Sequence, residues 1–153
     1  MFNDGVNKEF MEYKKENSGE FTWWDYINIK SDLKTALGFS KFFYPDILEV
    51  EECFILKDKF SKEIFELWKN ECENDKVSIE KMMNLYQISD FFHINIEEGE
   101  NEEEQVLALG KALKIFWTHS FNDKFPNRDL VVEVFEESDG ELFITAYENL
   151  DLW

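Results

Sequence analysis

Apolar residues recur at helical spacing over four stretches of the chain. Behind Ser61, the positions Ile64, Phe65, Trp68 and Cys72 fall on one stripe, which predicts a helix to about Cys72. Ile79, Met82, Met83 and Tyr86 repeat the pattern at i, i+3, i+4 and i+7, with Ser78 as the expected cap. The longest helix is expected from about Glu102 to Ser120, with Val106, Leu109, Leu113, Phe116 and Trp117 as its buried face. Ser31 and Asp32 offer a cap and an acidic first turn for a helix to about Phe43. That helix places Leu33, Ala36, Leu37 and Ser40 on one face and stops at Pro45. A shorter helix is expected through Lys8–Lys15.

Two regions read as strands. Ile47–Leu56 is rich in β-formers and is either two short strands or one long bent strand, with Glu51-Glu52 in its middle. Leu130–Phe135 and Glu141–Tyr147 are separated by Ser138-Asp139-Gly140, the turn chemistry of an antiparallel hairpin. The elements are segregated rather than alternating, so the expected class is α+β. Several helices would pack on a small antiparallel sheet ending in a C-terminal β-hairpin, with helices 31–43 and 102–120 on one face. Residues 1–20 read as a polar N-terminal segment and residues 21–153 as a single domain. Apolar residues make up 44% of the chain and aromatics 17%, enough to build a core.

Charge alters this picture more than composition does. The 153 residues carry 16 Lys+Arg against 34 Asp+Glu, a formal −18. From Met82 to Gly110 there are seven acids and no base, and from Asp129 to Trp153 eight acids and no base. These two segments hold −15 of the −18, while the remainder has 19 acids and 16 bases. Such a balance excludes a nucleic-acid binder, because the field repels phosphates, and it disfavours an anionic membrane surface. No apolar run reaches the length of a bilayer span, and Met1–Lys8 lacks the basic start and apolar core of a secretory signal. A cytoplasmic location is expected, with Cys53 and Cys72 as buried free thiols.

Catalytic chemistry has little to work with. His93 and His119 are the only histidines, and no spacing of His, Cys and Glu matches a zinc site, so neither metal nor cofactor is expected. Gly-x-Ser-x-Gly, Walker and dinucleotide loops are absent, and no Asp-x-Asp-x-Asp-Gly calcium loop occurs. Arg128, the sole arginine, is expected to neutralise a neighbouring carboxylate. Glutamate pairs are too abundant to single out one as an acid/base pair.

A binding surface fits the residues better than an active site. Glu97, Glu98, Glu100, Glu102, Glu103 and Glu104 form the first set of expected partner contacts, and Glu136, Glu137, Asp139 and Glu141 of the hairpin the second. Trp23 and Trp24 either pack under the domain or stand exposed as interface anchors. The segment Leu33–Leu56, with Ala36-Leu-Gly-Phe-Ser-Lys-Phe-Phe-Tyr-Pro-Asp-Ile-Leu-Glu-Val-Glu-Glu-Cys-Phe-Ile-Leu, resembles one in small acidic, mostly uncharacterised bacterial proteins. There a helix, a proline and a Glu-Val strand precede a Trp-bearing helix, and Phe143-Ile-Thr-Ala-Tyr is similar in kind to their closing strand. Some of those proteins resemble immunity proteins of bacterial toxin systems. The resemblance covers about a third of the chain and implies a non-catalytic inhibitor in the cytoplasm, with no residue role attached.

The leading expectation is therefore a non-enzymatic acidic protein that neutralises a basic protein partner, such as a nuclease-type toxin. Two alternatives are a nucleic-acid-mimicking inhibitor of a DNA-binding protein and a small enzyme with a carboxylate site.

Overall fold

The computed structural model describes residues 1–93 and 101–150. Within them lie six α-helices and two small antiparallel sheets, the expected α+β class. Among the described residues no helix is long and apolar enough to cross a membrane.

Helix α1 (Lys8–Glu16) begins where the Asn7 side chain accepts from Phe10 N at 2.9 Å. Helix α2 (Trp23–Lys30) lies in the aromatic block for which the sequence pattern predicted no helix. Its start is a capping box: Thr22 and Asp25 each take a backbone N–H from the other. The two helices clasp through rings, Phe10 stacking on Trp23 at 3.8 Å with Tyr26 edge-on at 5.8 Å. Glu9 accepts from Tyr26 at 2.7 Å and pairs with Lys30 across the same seam.

Helix α3 (Leu33–Phe43) is capped by Asp32 and inverts the expected packing. Leu33, Ala36, Leu37 and Ser40 face solvent, with Leu33 85% and Leu37 70% exposed. Phe39, Phe42 and Phe43 turn inward instead, onto Phe91, Phe92 and Phe116. The helix carries two competing apolar stripes, and three rings bury more area than two leucines and an alanine. So α3 does not lie on the sheet beside the long helix; it leans on that helix through its aromatic side.

Strands β1 (Ile47–Val50) and β2 (Cys53–Leu56) form a separate hairpin in which Val50 faces Cys53. The run is thus two strands, and Glu51-Glu52 is the two-residue turn between them. Both turn residues have positive φ, 48° and 69°, which favours Asn-Gly over a pair of glutamates. Glu51 holds Lys69 at 2.6 Å, whereas Glu52 makes no ion pair among the described residues. Glu52→Gly is accordingly expected to raise stability by about 1 kcal/mol. Thermal denaturation reads this directly, and an unchanged or lower midpoint contradicts it.

Helix α4 (Lys62–Glu71) buries Phe65 and half-buries Trp68 and Cys72, while Ile64 stays exposed. Helix α5 (Lys76–Met83) starts one turn before the expected Ser78, because Asp75 accepts from Ser78 N at 2.9 Å. Ile79 and Met83 are buried and Met82 is exposed. Tyr86 leaves the helical stripe, since α5 ends at Met83 with Asn84 as its cap and strand β3 (Tyr86–Gln87) follows.

Helix α6 (Glu102–Lys124) runs four residues beyond the expected end. Strands β4 (Leu130–Glu136) and β5 (Leu142–Glu148) form the predicted hairpin, and β3 pairs with the other edge of β5. Leu113, Trp117 and Phe121 of α6 share a core with Leu130, Val132, Ile144 and Ala146 on one face of this sheet. On the other face, Thr145 donates to the Lys81 carbonyl of α5 at 2.8 Å. Gly110 lets α6 approach closely: a Cβ there would sit 2.8 Å from Ile88 Cδ1 and 3.2 Å from Leu142 Cδ2.

Two buried side chains, Glu80 of α5 and Asn84 at its C-cap, join the sheets. Asn84 accepts from Leu56 N at 2.8 Å and donates to the carbonyls of Phe54 and Ala146, each at 2.8 Å. Glu80, one turn earlier, accepts from Phe54 N and from Glu148 N, both at 2.7 Å. Together they stand in for the strand that would otherwise pair β2 with β5. A compact helix face thereby acts as a polar spine between two half-sheets.

Candidate functional site: the acidic end

Packing register decides where the acidic side chains gather. Phe121, near the C-terminal end of α6, surrounds a small void together with Leu130 and Ala146. Gly110, nearer its start, lies against Val134 and Leu142. The helix therefore runs antiparallel to β4, and its N-terminal turn extends toward the tip of the hairpin. Glu102, Glu103 and Glu104 lie about 10 Å beyond Gly110 along the helix axis. Glu136, Glu137 and Asp139 occupy the hairpin tip at that same end, where Gly140 at φ 86° closes the turn.

All six of these carboxylates are exposed, and none makes an ion pair within 4 Å among the described residues. Glu102–Glu104 face the positive end of the α6 dipole, which stabilises their charge without a cation. Asp139 accepts from Glu141 N at 3.1 Å, a local turn contact that leaves its charge uncompensated. Glu141 differs from the rest: it is half-buried and accepts from Gln87 at 2.8 Å and Ser89 at 3.0 Å. Its carboxylate secures the β3 edge. Glu97, Glu98 and Glu100 lie outside the described residues.

The two tryptophans separate. Trp23 is fixed by its stack on Phe10 and by Nε1–H donation to Asp4 at 3.0 Å. It lines a cleft of about 900 Å³ whose opposite wall includes Glu102, Val106 and Phe116 of α6. Trp24 faces outward at 72% exposure. The structure thus brings Trp23 and Glu102 to one cleft and leaves Trp24 on a separate surface of α2.

A second group of charges centres on two buried carboxylates, Glu80 and Glu148, that sequence reasoning did not single out. Glu148 is gripped by Arg128, whose Nη2 lies at 2.8 Å, and by Lys76. Arg128 also sits 4.8 Å over the Phe54 ring, with Lys76 at 5.1 Å from the same ring. Hydrogen bonding from Arg128 holds the Glu148 carboxyl below the usual range, against the opposing effect of burial. Burial pushes Glu80 upward, and its two backbone N–H donors and Lys76 offset that only in part. The Cys53 thiol, buried and near the Glu80 charge, is pushed up to about 11, which suppresses thiolate chemistry. Arg128 does neutralise a carboxylate, as expected of it. The one signal available in the sequence was the i, i+4 pair Glu80/Asn84 beside the apolar Ile79 and Met83.

A pH dependence follows from this grip. A carboxyl with a lowered folded value adds stability that is full above its unfolded value and disappears as pH falls through the folded one. Arg128→Gln removes the first cause of the lowering, so the variant is expected to lose less stability between neutral and acid pH than the parent. Denaturant melts across that range test it, and parallel pH curves contradict it.

Comparison with known proteins adds no relative. A scan against protein-family models finds none that matches, and searches of curated proteins and of solved structures find no match either.

Chemically, the acidic end offers unneutralised negative charge around one terminus of the fold, with no arrangement of nucleophile and base among the described residues. His93 bonds the Asp90 carbonyl at 2.7 Å, and His119 is exposed within α6, more than a turn before its end. No three His, Cys, Asp or Glu side chains among the described residues are grouped to hold a metal ion.

Proposed function

We propose that this chain is a non-enzymatic acidic binding protein that neutralises a basic protein partner. The observation that supports the reading is the convergence of Glu102–Glu104 and Glu136, Glu137 and Asp139 at one end, exposed and without ion pairs among the described residues. Uncompensated charge of one sign costs self-repulsion. A partner that supplies the missing cations relieves it and is steered to the site from a distance. A nuclease-type toxin, built to hold polyanions, has a surface of the matching sign; neutralising such a toxin is the specific form proposed, in line with the resemblance carried by Leu33–Leu56.

Charge reversal tests the proposal. The triple variant Glu102→Lys, Glu103→Lys, Glu104→Lys is expected to slow association with the basic partner about tenfold at low salt and to flatten its salt dependence. Lysines at a helix N-terminus also oppose the dipole, so Glu136→Lys/Glu137→Lys serves as a second variant free of that effect. Stopped-flow association at several salt concentrations gives the readout, with circular dichroism as the check on folding. Unchanged association of both variants at low salt overturns the assignment.

A further inference from the structure

We propose that the cleft between the α1–α2 clasp and α6 is a binding site for an uncharged, aromatic small molecule. Its volume of about 900 Å³ falls within the roughly 300–1,000 Å³ typical of small-molecule sites. Phe2 and Trp23 line it on the clasp side, and Val106, Leu109 and Phe116 on the α6 side. The buried side chains of Ile88, Ala108 and Ala112 also border it. Three of its rings keep much of their surface open, Phe2 and Phe92 at 45% and Phe116 at 38%. Phe92 reaches the cleft from a backbone φ of 64°, a costly conformation for an aromatic residue. The walls are tied together in advance. Asn101 at the start of α6 donates to the Val6 carbonyl, just before α1, at 2.8 Å, and Trp23 is held by its stack on Phe10.

Polarity and charge select the occupant. The polar side chains that line the cleft are already engaged within the protein. Trp23 Nε1–H donates to Asp4 at 3.0 Å, the Tyr26 hydroxyl to Glu9 at 2.7 Å, and the Ser89 hydroxyl to Glu141 at 3.0 Å. Asn7 accepts from Phe10 N at 2.9 Å, and Gln105 donates to Asn101 at 3.0 Å. The lining charges cancel as well: Lys8 and Lys30 stand against Glu9 and Glu102, and Lys30 pairs directly with Glu9. Within a chain of −18 this is a locally neutral surface.

A charged guest would give up its hydration where neither sign is left in excess to replace it. An uncharged ring loses nothing by entering and meets aromatic faces and edges on both walls. Of the six exposed carboxylates at the acidic end, only Glu102 borders the cleft, so this site is separate from the surface proposed for a basic partner.

Fluorescence titration of the 153-residue chain with N-phenylnaphthylamine, an uncharged probe that emits in apolar surroundings, tests this. Emission should rise and saturate, and naphthalenemethanol should displace the probe. Naphthylmethylammonium, the same skeleton bearing a cation, should displace it about tenfold less well at high salt, where the field of the whole chain is screened. Gln105→Trp fills the cleft from an exposed position of α6 and should weaken probe binding about tenfold. Phe2→Ser removes one wall ring at an exposed position and should weaken it too. Both variants should keep the parent's circular dichroism spectrum, and Leu33→Ser/Leu37→Ser on α3 should bind as the parent does. Absence of saturable emission overturns the proposal, as does unchanged affinity in both cleft variants. A loss confined to the α3 variant places the probe on that helix and overturns it equally. Displacement by the cation as readily as by the alcohol overturns the assignment to an uncharged ligand.

Discussion

Glu80→Ala is expected to destabilise the fold by about 3–5 kcal/mol. Glu80 has no exposure, and both of its oxygens accept backbone N–H groups, from Phe54 on β2 and from Glu148 on β5. Removing the carboxylate strands two buried donors, and leaving each unsatisfied costs on the order of 1–3 kcal/mol. It also takes a charge from beside Lys76, which lies 3.9 Å away. Glu80→Gln separates these effects. Its carbonyl oxygen replaces one acceptor, but the amide nitrogen points a donor at the other N–H, so about half of the loss is expected to remain. Urea denaturation of the two variants measures both. A cost below 1 kcal/mol for the alanine variant would mean that the sheets do not depend on this bridge.

Trp117→Ala is the second large effect. The indole is 2% exposed in the core shared by α6 and the β3-β5-β4 sheet, and its Nε1–H caps the Phe42 carbonyl of α3. Truncation leaves a large cavity and an unpaired carbonyl, at a cost of about 3–5 kcal/mol. In a chain of this size that lowers the melting temperature by roughly 10 °C or more. Trp117→Phe keeps most of the volume and loses the hydrogen bond, so it should cost clearly less. Equal costs would show that the bond to Phe42, rather than the packing, dominates. Because that bond anchors α3, protease susceptibility at α3 should rise in both variants before the sheet itself opens.

The elements that were legible share one property: a single apolar pattern with a matching turn or cap. Asp139-Gly140 between two β-rich runs located the C-terminal hairpin, and the Phe65 and Leu113/Trp117 stripes located α4 and α6. Legibility failed where two patterns competed or where polar atoms did structural work. In α3 the Leu33/Leu37 stripe and the Phe39/Phe42/Phe43 stripe lay on one helix, and regular spacing favoured the one that packing rejected. Helix α2 buries one narrow strip against Phe10, so its rings gave no helical period; only the Thr22/Asp25 capping box marked it. The Glu80/Asn84 spine left only its i, i+4 spacing as a trace, because its role depends on two strands that are distant in sequence.

The acidic site was legible in part. Two base-free segments announced a concentration of charge, and the antiparallel run of α6 along β4 is what puts Glu102–Glu104 and the hairpin tip at one end. Sequence did not show that Glu141, in the middle of that set, is held by Gln87 and Ser89. Nor did it show that Trp23 is locked against Phe10 while its neighbour Trp24 is free.

The most direct test of charge-led binding is capture by the tagged 153-residue chain from an extract of its native cells, with elution by a rising salt gradient. The expected result is one basic protein, released at moderate salt by the parent chain and not retained by Glu136→Lys/Glu137→Lys. Retention of no basic protein at low salt, or identical retention by parent and variant, would contradict the proposed role of the acidic end.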